Sequence, residues 1–287
     1  MRDVEIITTK TQYKAGDAVE GHVIVRCDDD FKHNGIRITF KGREHTQVVV
    51  SHGKTSTTYT DEHVYFDETV YLEEAGVMQP GEKVLEFRFL FPDDPESILT
   101  SYEGRNGWIQ YSLEAVVERS LAIDPKEKVF LDFRQAMIKP SPISQRDFAE
   151  KDGYSVLDVE MEDTIFCIGD SIPLRFRVAH DVKIREVRAA LISNEFVIAQ
   201  GHKRSSKRTL VKKKLDDDFV QRDRWMDVTL ETDESMQSTF DRPIIRNTIF
   251  VKVTLNIPWA RDKIVEIPIT LGHCDARTDL SYDIFDL

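Results

Sequence analysis

Cysteine is scarce in this 287-residue sequence, which has only Cys27, Cys167 and Cys274. An odd number of cysteines at wide spacing fits neither a disulfide framework nor a zinc site built from paired thiolates. Thiols that serve neither purpose are usual where the compartment is reducing. We therefore expect a reducing, cytosolic location for this chain.

Long apolar runs are also missing. No run approaches the roughly 18 apolar residues that a helix needs to cross a bilayer. The first 25 residues alternate apolar with polar side chains, whereas a signal peptide has a continuous apolar stretch. The sequence therefore predicts a cytoplasmic chain with neither a signal peptide nor a membrane span.

The motifs that hold metals, phosphates or catalytic groups are absent as well. The eight histidines are scattered, without His-x-His, His-Glu-x-x-His or Cys-x-x-Cys spacing. Asp28-Asp29-Asp30 lacks the glycine and the final glutamate of a calcium loop, and glycine-rich phosphate loops do not occur. We predict no metal site, no cofactor and no catalytic residue.

The net charge of −12 and the pI near 5.2 limit the partners. A field of this sign repels phosphate at long range, so nucleic acid is not an expected partner and any anion site must be a local basic patch. The length is about twice the ~150 residues typical of one domain, so two domains are expected.

What the sequence does contain is a period-two alternation of apolar and polar residues. This pattern is typical of strands that bury one face, and no long window shows the helical period. Turn signals such as Gln79-Pro-Gly and Arg105-Asn-Gly separate the runs. The runs include residues 36–40, 85–91, 109–117, 187–191, 251–255 and 265–269. The pattern predicts an all-β protein.

A short motif occurs twice. Tyr13-x-x-Gly16-Asp17-Ala18-Val19 recurs 153 residues later as Phe166-x-x-Gly169-Asp170-Ser171-Ile172. A repeat of domain length indicates duplicated domains rather than a solenoid, although a chance match is the alternative. Gly-Asp in each copy fits a tight turn.

The stretch Pro140-Ser-Pro142, followed by polar residues up to Gly153, is typical of an interdomain linker. We place the domain boundary near residue 145. The predicted organisation is a first domain at 1–145, a linker at 146–153, a second domain at 154–275 and an acidic, aromatic tail at 276–287.

Six sequence blocks occur in one order along nearly the whole chain. They include the hairpin at 13–25, the strand at 36–44, the aromatic strand Leu85–Phe91 with the following Pro92, Glu103-Gly104 and Tyr111-x-Leu113-x-Ala115, the opening of the second half at 166–174, and the strands at 249–258 and 265–272. This set resembles the arrestin superfamily, specifically its α-arrestin, or arrestin-domain-containing, branch.

The resemblance implies two tandem antiparallel immunoglobulin-like β-sandwich domains of roughly seven strands each, whose faces and edges bind proteins. It also implies a non-enzymatic cytoplasmic adaptor or scaffold for membrane-protein tails and trafficking proteins, in endocytosis or signalling, at the plasma membrane or endosomes. Most α-arrestins carry Pro-Pro-x-Tyr motifs that recruit ubiquitin ligases. No Pro-Pro pair occurs in this sequence, so ligase recruitment is not predicted.

A constitutive coat subunit, similar to the arrestin-like component of retromer, is the second functional hypothesis. The third is a hydrolase, because Gly169-Asp170-Ser171-Ile172 resembles a nucleophile block. The only Asp-x-x-His, Asp30-Phe-Lys-His33, precedes this serine, whereas that hydrolase family has it near the end of the chain. The first copy of the repeat has Ala18 at the nucleophile position, which favours a turn over a catalytic site.

The most uneven charge distribution is a basic stretch within this acidic chain. One interpretation is an exposed hairpin whose lysines prevent strand edges from pairing. The other is a patch for anionic headgroups, inositol phosphates or phosphorylated tails. The seven basic residues are Lys203, Arg204, Lys207, Arg208, Lys212, Lys213 and Lys214.

Two further features depend on the resemblance. Arrestins place basic residues beside the first strand to hold peptides, and Arg2, Lys10 and Lys14 occupy similar positions here. Receptor-regulating arrestins have an acidic, aromatic tail that docks on the first domain, and the segment with Tyr282, Ile284, Phe285 and Leu287 resembles a shortened version. A free sorting peptide and packing on the second domain are the alternatives for this tail.

Overall fold

The computed structural model of the protein describes residues 2–94, 98–120, 123–137 and 139–274. Within these ranges strands predominate, and the one helical element is a single 3₁₀ turn, Asp217–Phe219. The chain divides into two compact units. Of the described residues, the first unit holds those up to 135 together with 197–204, and the second holds those at 136–196 and 205–274.

The first half of the chain supplies two sheets. Its strands are β1 (Arg2–Thr8), β2 (Gln12–Tyr13), β3 (Ala18–Cys27), β4 (Phe31–His52), β5 (Thr55–Met78), β6 (Gly81–Leu90), β7 (Tyr102–Glu103), β8 (Gly107–Glu118) and β9 (Lys126–Phe133). One sheet has the order β1-β3-β6. The other has the order β2-β9-β8-β4-β5, with β7 paired to β8.

Alternation of apolar and polar side chains explains how these sheets meet. In β3, Val19, Val23 and Val25 are buried. The ring of Phe89 in β6 lies 5.3 Å from the ring of Phe40 in β4, so aromatic side chains from both sheets share one interior. Burial of each apolar face against the other is the main stabilising contribution to a sandwich of this kind.

The second half of the chain repeats this design. Its strands are β10 (Gln145–Lys151), β11 (Tyr154–Met161), β12 (Ile165–Cys167), β13 (Ser171–Val178), β14 (Glu186–Ala199), β15 (His202–Asp216), β16 (Met226–Glu231), β17 (Phe240–Asp241), β18 (Ile245–Asn256) and β19 (Lys263–Gly272). The sheet orders are β10-β11-β13-β16 and β12-β19-β18-β14-β15, with β17 paired to β18. Leu157, Phe176, Leu191 and Val253, which come from both sheets, share one buried cluster. The predicted all-β fold of two β-sandwiches is confirmed.

The repeated Gly-Asp motif forms the same turn in both halves. The amide of Asp17 donates to the carbonyl of Lys14 at 3.1 Å, and the amide of Asp170 donates to the carbonyl of Cys167 at 3.0 Å. Gly16 and Gly169 have φ angles of 76° and 96°, which a residue with a Cβ rarely adopts. Backbone geometry therefore accounts for both glycines.

The segment predicted as a linker is mostly strand. Residues 145–151 form β10, which pairs with β11 so that Arg146 lies opposite Glu160. The turn that follows places Asp152 and Gly153 at φ angles of 53° and 88°. The polar composition misled the linker prediction, because a strand at the edge of a sheet can be polar on its exposed side. The compact units divide between residues 135 and 136.

The prediction that the three cysteines form no disulfide was wrong. Cys167 and Cys274 form a disulfide across 107 residues, with their Cα atoms 5.5 Å apart, and Cys27 is buried and free. The physical cause is the parallel pairing of β12 with β19, which sets Cys167 opposite Gly272 and close to Cys274. Spacing along the sequence does not reveal such a long-range pairing.

Replacement of Cys167 by serine should lower the free energy of unfolding by about 3 kcal/mol, because a cross-link closing a long loop restricts the unfolded chain. Urea denaturation followed by circular dichroism measures this change. Reductant added to the unsubstituted protein should reproduce the loss, and Cys167→Ser should then be insensitive to reductant. If reductant leaves the free energy of unfolding of the unsubstituted protein unchanged, the result would contradict a disulfide in solution.

Candidate protein-binding surfaces

The basic stretch lies along β15, at the end of its sheet order. No other described strand pairs with its outer edge. Such an edge presents unpaired N–H and C=O groups that can accept an added strand. The structure therefore places the predicted basic residues on a strand that is open to a partner.

Two of the basic residues contact groups on other strands. Arg204 Nη1 donates to the carbonyl of Val49 in the same compact unit, at 3.2 Å. Lys207 Nζ lies 4.9 Å from the centre of the Phe250 ring and 4.0 Å from Glu266 Oε1. These contacts hold both side chains against the protein.

The third engaged residue is Lys214, whose ammonium lies 2.7 Å from Glu186 and 2.9 Å from Asp216. The neighbouring Asp217 is paired with Arg222 instead. The acidic residues after the stretch therefore neutralise only its final lysine.

Four basic residues of the stretch are exposed and have no ion pair with any described residue. They are Lys203, Arg208, Lys212 and Lys213. Because no carboxylate of the described chain pairs with them, their charges are available to an anionic ligand.

The residues predicted to hold peptides beside the first strand are arranged differently. Lys10 Nζ lies 3.2 Å from Asp17 Oδ1, so an internal carboxylate occupies it. The amide of Lys14 donates to Asp17 Oδ2 at 3.0 Å. Arg2 begins β1, opposite Cys27. The structure gathers Lys10 and Lys14 around the Gly-Asp turn, where their site role stays a prediction. The predicted tail residues Tyr282, Ile284, Phe285 and Leu287 lie outside the described residues.

Ser171 begins β13 and lines a cavity of about 460 Å³. The other lining residues are Lys139, Pro142, Glu162, Asp163, Phe166, Asp170 and Pro173. None of them is a histidine, and Lys139 Nζ is 3.1 Å from Asp163 Oδ2. Because Asp170 accepts from the amide of Cys167 at 3.2 Å, Gly-Asp-Ser here forms a turn.

Residues that the sequence did not single out form a charged cluster on the outward face of the β10-β11-β13-β16 sheet. Three guanidinium groups lie 5.1–5.4 Å from the Trp225 ring, those of Arg146, Arg175 and Arg177. Asp158, which is buried, accepts from Arg146 at 3.2 Å and from Arg177 at 2.9 Å. The alternation of Asp158 with Glu160, and of Arg175 with Arg177, was the signal that could have revealed it.

Burial disfavours the ionised form of Asp158, but hydrogen bonds from Arg177 and Arg146 outweigh it and hold the pKa of Asp158 below its usual value. A carboxyl group with a lowered folded-state pKa stabilises the fold above its unfolded-state pKa, and the contribution is lost as the pH falls through the folded-state pKa.

Substitution of Asp158 by asparagine should therefore lower the free energy of unfolding by about 1–2 kcal/mol at neutral pH, because charge-assisted hydrogen bonds are lost. The difference from the unsubstituted protein should shrink below about pH 4, where the unfolded carboxyl group is protonated. Urea denaturation at several pH values measures both effects. A difference that is constant across pH would contradict this role of the ionised carboxylate.

The second charged face that the sequence did not single out belongs to the β1-β3-β6 sheet. Its outward side chains include Asp3, Glu5, Glu82 and Glu86. The alternation of acidic residues along β1 and β6 was the sequence feature that could have revealed this face.

Among the described residues, no helix has the length and apolar character that crossing a bilayer requires. The same residues contain no group of three or more His, Cys, Asp or Glu side chains placed to hold a metal ion.

Comparison with known proteins covers both sandwiches. Residues 3–134 match the family model described as "Arrestin (or S-antigen), N-terminal domain", and residues 151–276 match the corresponding C-terminal domain. Similar proteins include human arrestin domain-containing protein 4, which is 25% identical over 286 residues, covering 91% of this chain and 68% of that protein. Its mouse counterpart is 23% identical, with 92% and 69% covered.

Human thioredoxin-interacting protein is also similar, at 21% identity over 290 residues, with 94% of this chain and 72% of that protein covered. These relatives support a general non-enzymatic adaptor or scaffold role. The two domain matches and the similarity to arrestin domain-containing protein 4 agree with the two sandwiches and with the repeated turn that opens each of them. The chain belongs to the arrestin family, in its arrestin-domain-containing, or α-arrestin, branch.

Proposed function

We propose that this chain is a cytoplasmic adaptor that binds the cytoplasmic segments of membrane proteins during trafficking or signalling. Family membership supports the adaptor role, and the open edge of β15 supports binding of extended segments. In this proposal the molecule works at the plasma membrane or endosomes, where such segments lie.

The observation that carries the proposal is the excess of positive charge on the β15 edge. The chain has a net charge of −12, so a strand with exposed lysines that pair with no carboxylate of the described residues differs from the rest of the molecule. Main-chain hydrogen bonds from β15 would bind an added strand, and the cations of Lys212 and Lys213 would favour acidic or phosphorylated segments.

Anionic lipid headgroups share the chemistry of phosphorylated segments and would meet the same cations. Each basic residue near an anionic membrane contributes about 1 kcal/mol. Attraction between exposed charges decays over a Debye length of ~8 Å at physiological ionic strength, so this contact would weaken in salt. The membrane contact is thus peripheral and supports binding of the protein segment.

The alternative role for these lysines is to keep the β15 edge from pairing with other strands. A charge-preserving control separates the two roles. Lys212→Arg with Lys213→Arg keeps both charges, whereas Lys212→Glu with Lys213→Glu reverses them at the same positions. Lys214 is left unchanged because its contacts with Glu186 and Asp216 are internal.

The double Glu variant should bind phosphatidylserine vesicles about 30-fold more weakly at low salt. The reason is that two lysines, each contributing about 1 kcal/mol to the binding free energy, are removed. The double Arg variant should bind like the unsubstituted protein. Vesicle cosedimentation at low and high salt measures this. Equal binding of both variants would contradict a role in binding anions and would favour the role of these lysines in keeping the strand edge from pairing.

The adaptor proposal itself is tested with an array of synthetic cytoplasmic segments from membrane proteins, each in plain and phosphorylated form. The unsubstituted protein should bind a subset of them, because an adaptor discriminates among segments. Fluorescence anisotropy measures each affinity. No binding to any segment would contradict the proposed function.

A further inference from the structure

The outward face of the β1-β3-β6 sheet is ordered by its strand register. Antiparallel pairing places outward side chains from the three strands in rows. The rows are Asp3, Arg26 and Glu82; Glu5, Ile24 and Val84; Ile7, His22 and Glu86; Glu20 and Arg88; and Ala18 and Leu90. Because both outer strands are sheet edges in the described chain, the face is open on two sides.

Acidic groups dominate this face. Arg26 lies 2.7 Å from Glu5, 2.8 Å from Glu82 and 3.8 Å from Asp3. The hydrogen bond to Glu5, followed by the one to Glu82, raises the pKa of Arg26. Arg26 is therefore shared among three carboxylates, which leaves negative charge in excess around it.

The other basic groups on the face are also engaged. Arg88 Nε lies 3.2 Å from Glu20, and His22 Nε2 lies 3.8 Å from Glu86. Glu86 has a side chain that is 88% exposed. Counting the rows gives five carboxylates and two guanidiniums, so the face has a net charge of −3 with His22 neutral.

Exposed apolar side chains lie among these acids. Ile7, Val84 and Leu90 are 45%, 51% and 55% exposed. Ile24, which is buried, lies between Glu5 and Val84 in one row. Apolar side chains amid carboxylates can bind a partner segment that carries both apolar and cationic groups, since apolar burial and charge pairing then act together.

The sign of this charge differs from what the family resemblance implied for the first strand. That resemblance placed basic residues beside β1 to hold acidic or phosphorylated peptides. In the structure Lys10 is paired with Asp17, while β1 presents Asp3 and Glu5 outward. An acidic peptide would be repelled by this face, whereas a basic one would be attracted.

We propose that the outward face of the β1-β3-β6 sheet binds the basic segment of a membrane protein that adjoins its transmembrane helix on the cytoplasmic side. Cytoplasmic segments near membrane spans carry an excess of lysine and arginine. Such a segment can pair with the edge of β1, where its outward side chains meet Glu5 and Ile7, or with the edge of β6, where they meet Glu86 and Val84. This inference rests on the proposed adaptor function and adds to the β15 edge a second surface, which binds basic segments.

The test uses a labelled peptide of ten residues, the length of β3, with serine at every second position. Lysine alternates with leucine at the positions between the serines, so both types lie on one face of the peptide strand. A peptide of the same composition with its lysines and leucines in separate blocks tests the alternation. A third peptide, with glutamate in place of lysine, tests the sign of the charge. Fluorescence anisotropy should show binding of the alternating basic peptide and much weaker binding of the other two.

Asp3→Lys with Glu86→Lys reverses two charges on the face and keeps the contacts of Arg26 with Glu5 and Glu82. This variant should bind the basic peptide about tenfold more weakly, because two exposed charge contacts become repulsive. Val84→Ser should weaken binding without changing its salt dependence. Circular dichroism during heating establishes that each variant is folded.

The matched control is Glu150→Lys with Glu231→Lys, which makes the same change in net charge on exposed residues of the second sandwich. It should bind the peptide within about twofold of the unsubstituted protein, since neither substituted residue belongs to the β1-β3-β6 sheet. Equal losses in the control and in the face variant would overturn the proposal, because net charge alone would then explain the binding.

A second copy of this chain is another basic partner, through its β15 strand. Light scattering should show no self-association of the unsubstituted protein at the concentrations of the peptide assay. Self-association that both the face variant and the Lys212→Glu, Lys213→Glu variant abolish would overturn the proposal in favour of a contact between copies.

The same variants tested on the array of cytoplasmic segments separate this inference from the adaptor function. Loss of binding to basic segments in the face variant, but not in the Glu150→Lys, Glu231→Lys control, would support it. If segments bind and the face variant has no effect, the inference is wrong and the adaptor function stands. If the array shows no binding at all, the adaptor function fails and this inference fails with it.

Discussion

Each strand of a sandwich has two faces, and one of them is buried in the hydrophobic core. In β3, Val19, Val23 and Val25 face the interior, while Glu20 and Arg26 face outward. Burial of the inward set stabilises the fold and leaves the outward set free to vary in charge. The two candidate binding surfaces follow from this separation, because charge could accumulate on outward faces and edges without entering either core.

The parts of the fold that depend on local pattern were predictable. Alternation along residues 36–40 and 251–255 identified core strands, and Gly16-Asp17 identified a turn whose backbone needs a glycine. The disulfide was not predictable, because a parallel pairing between strands far apart in the chain brings Cys167 near Cys274. The strand β10 was not predictable either, because half of the side chains of an edge strand face solvent and its polar composition resembles that of a linker.

The candidate surfaces were predictable only in part. The position of the basic stretch could be read from the sequence. Which of its cations contact the protein and which remain unpaired depends on Glu186 in β14 and Phe250 in β18, and this could not be read from the sequence. The acidic face could not be read from β1 alone, since its charge is the sum over three strands brought together by register. Asp3 and Glu82 share Arg26 although they are 79 residues apart.

The disulfide also has a mechanical consequence. Any tension applied to the chain beyond Cys274 passes through the sulfur atoms to Cys167 and so to β12, as well as to the end of β19. With the bond intact, two strands bear the load and their parallel hydrogen bonds are not peeled one at a time from the terminus. With the bond reduced, the same pull acts on β19 alone and unzips it from its last residue. The oxidation state of this cysteine pair thus affects how much force the second sandwich withstands when the chain beyond Cys274 is pulled.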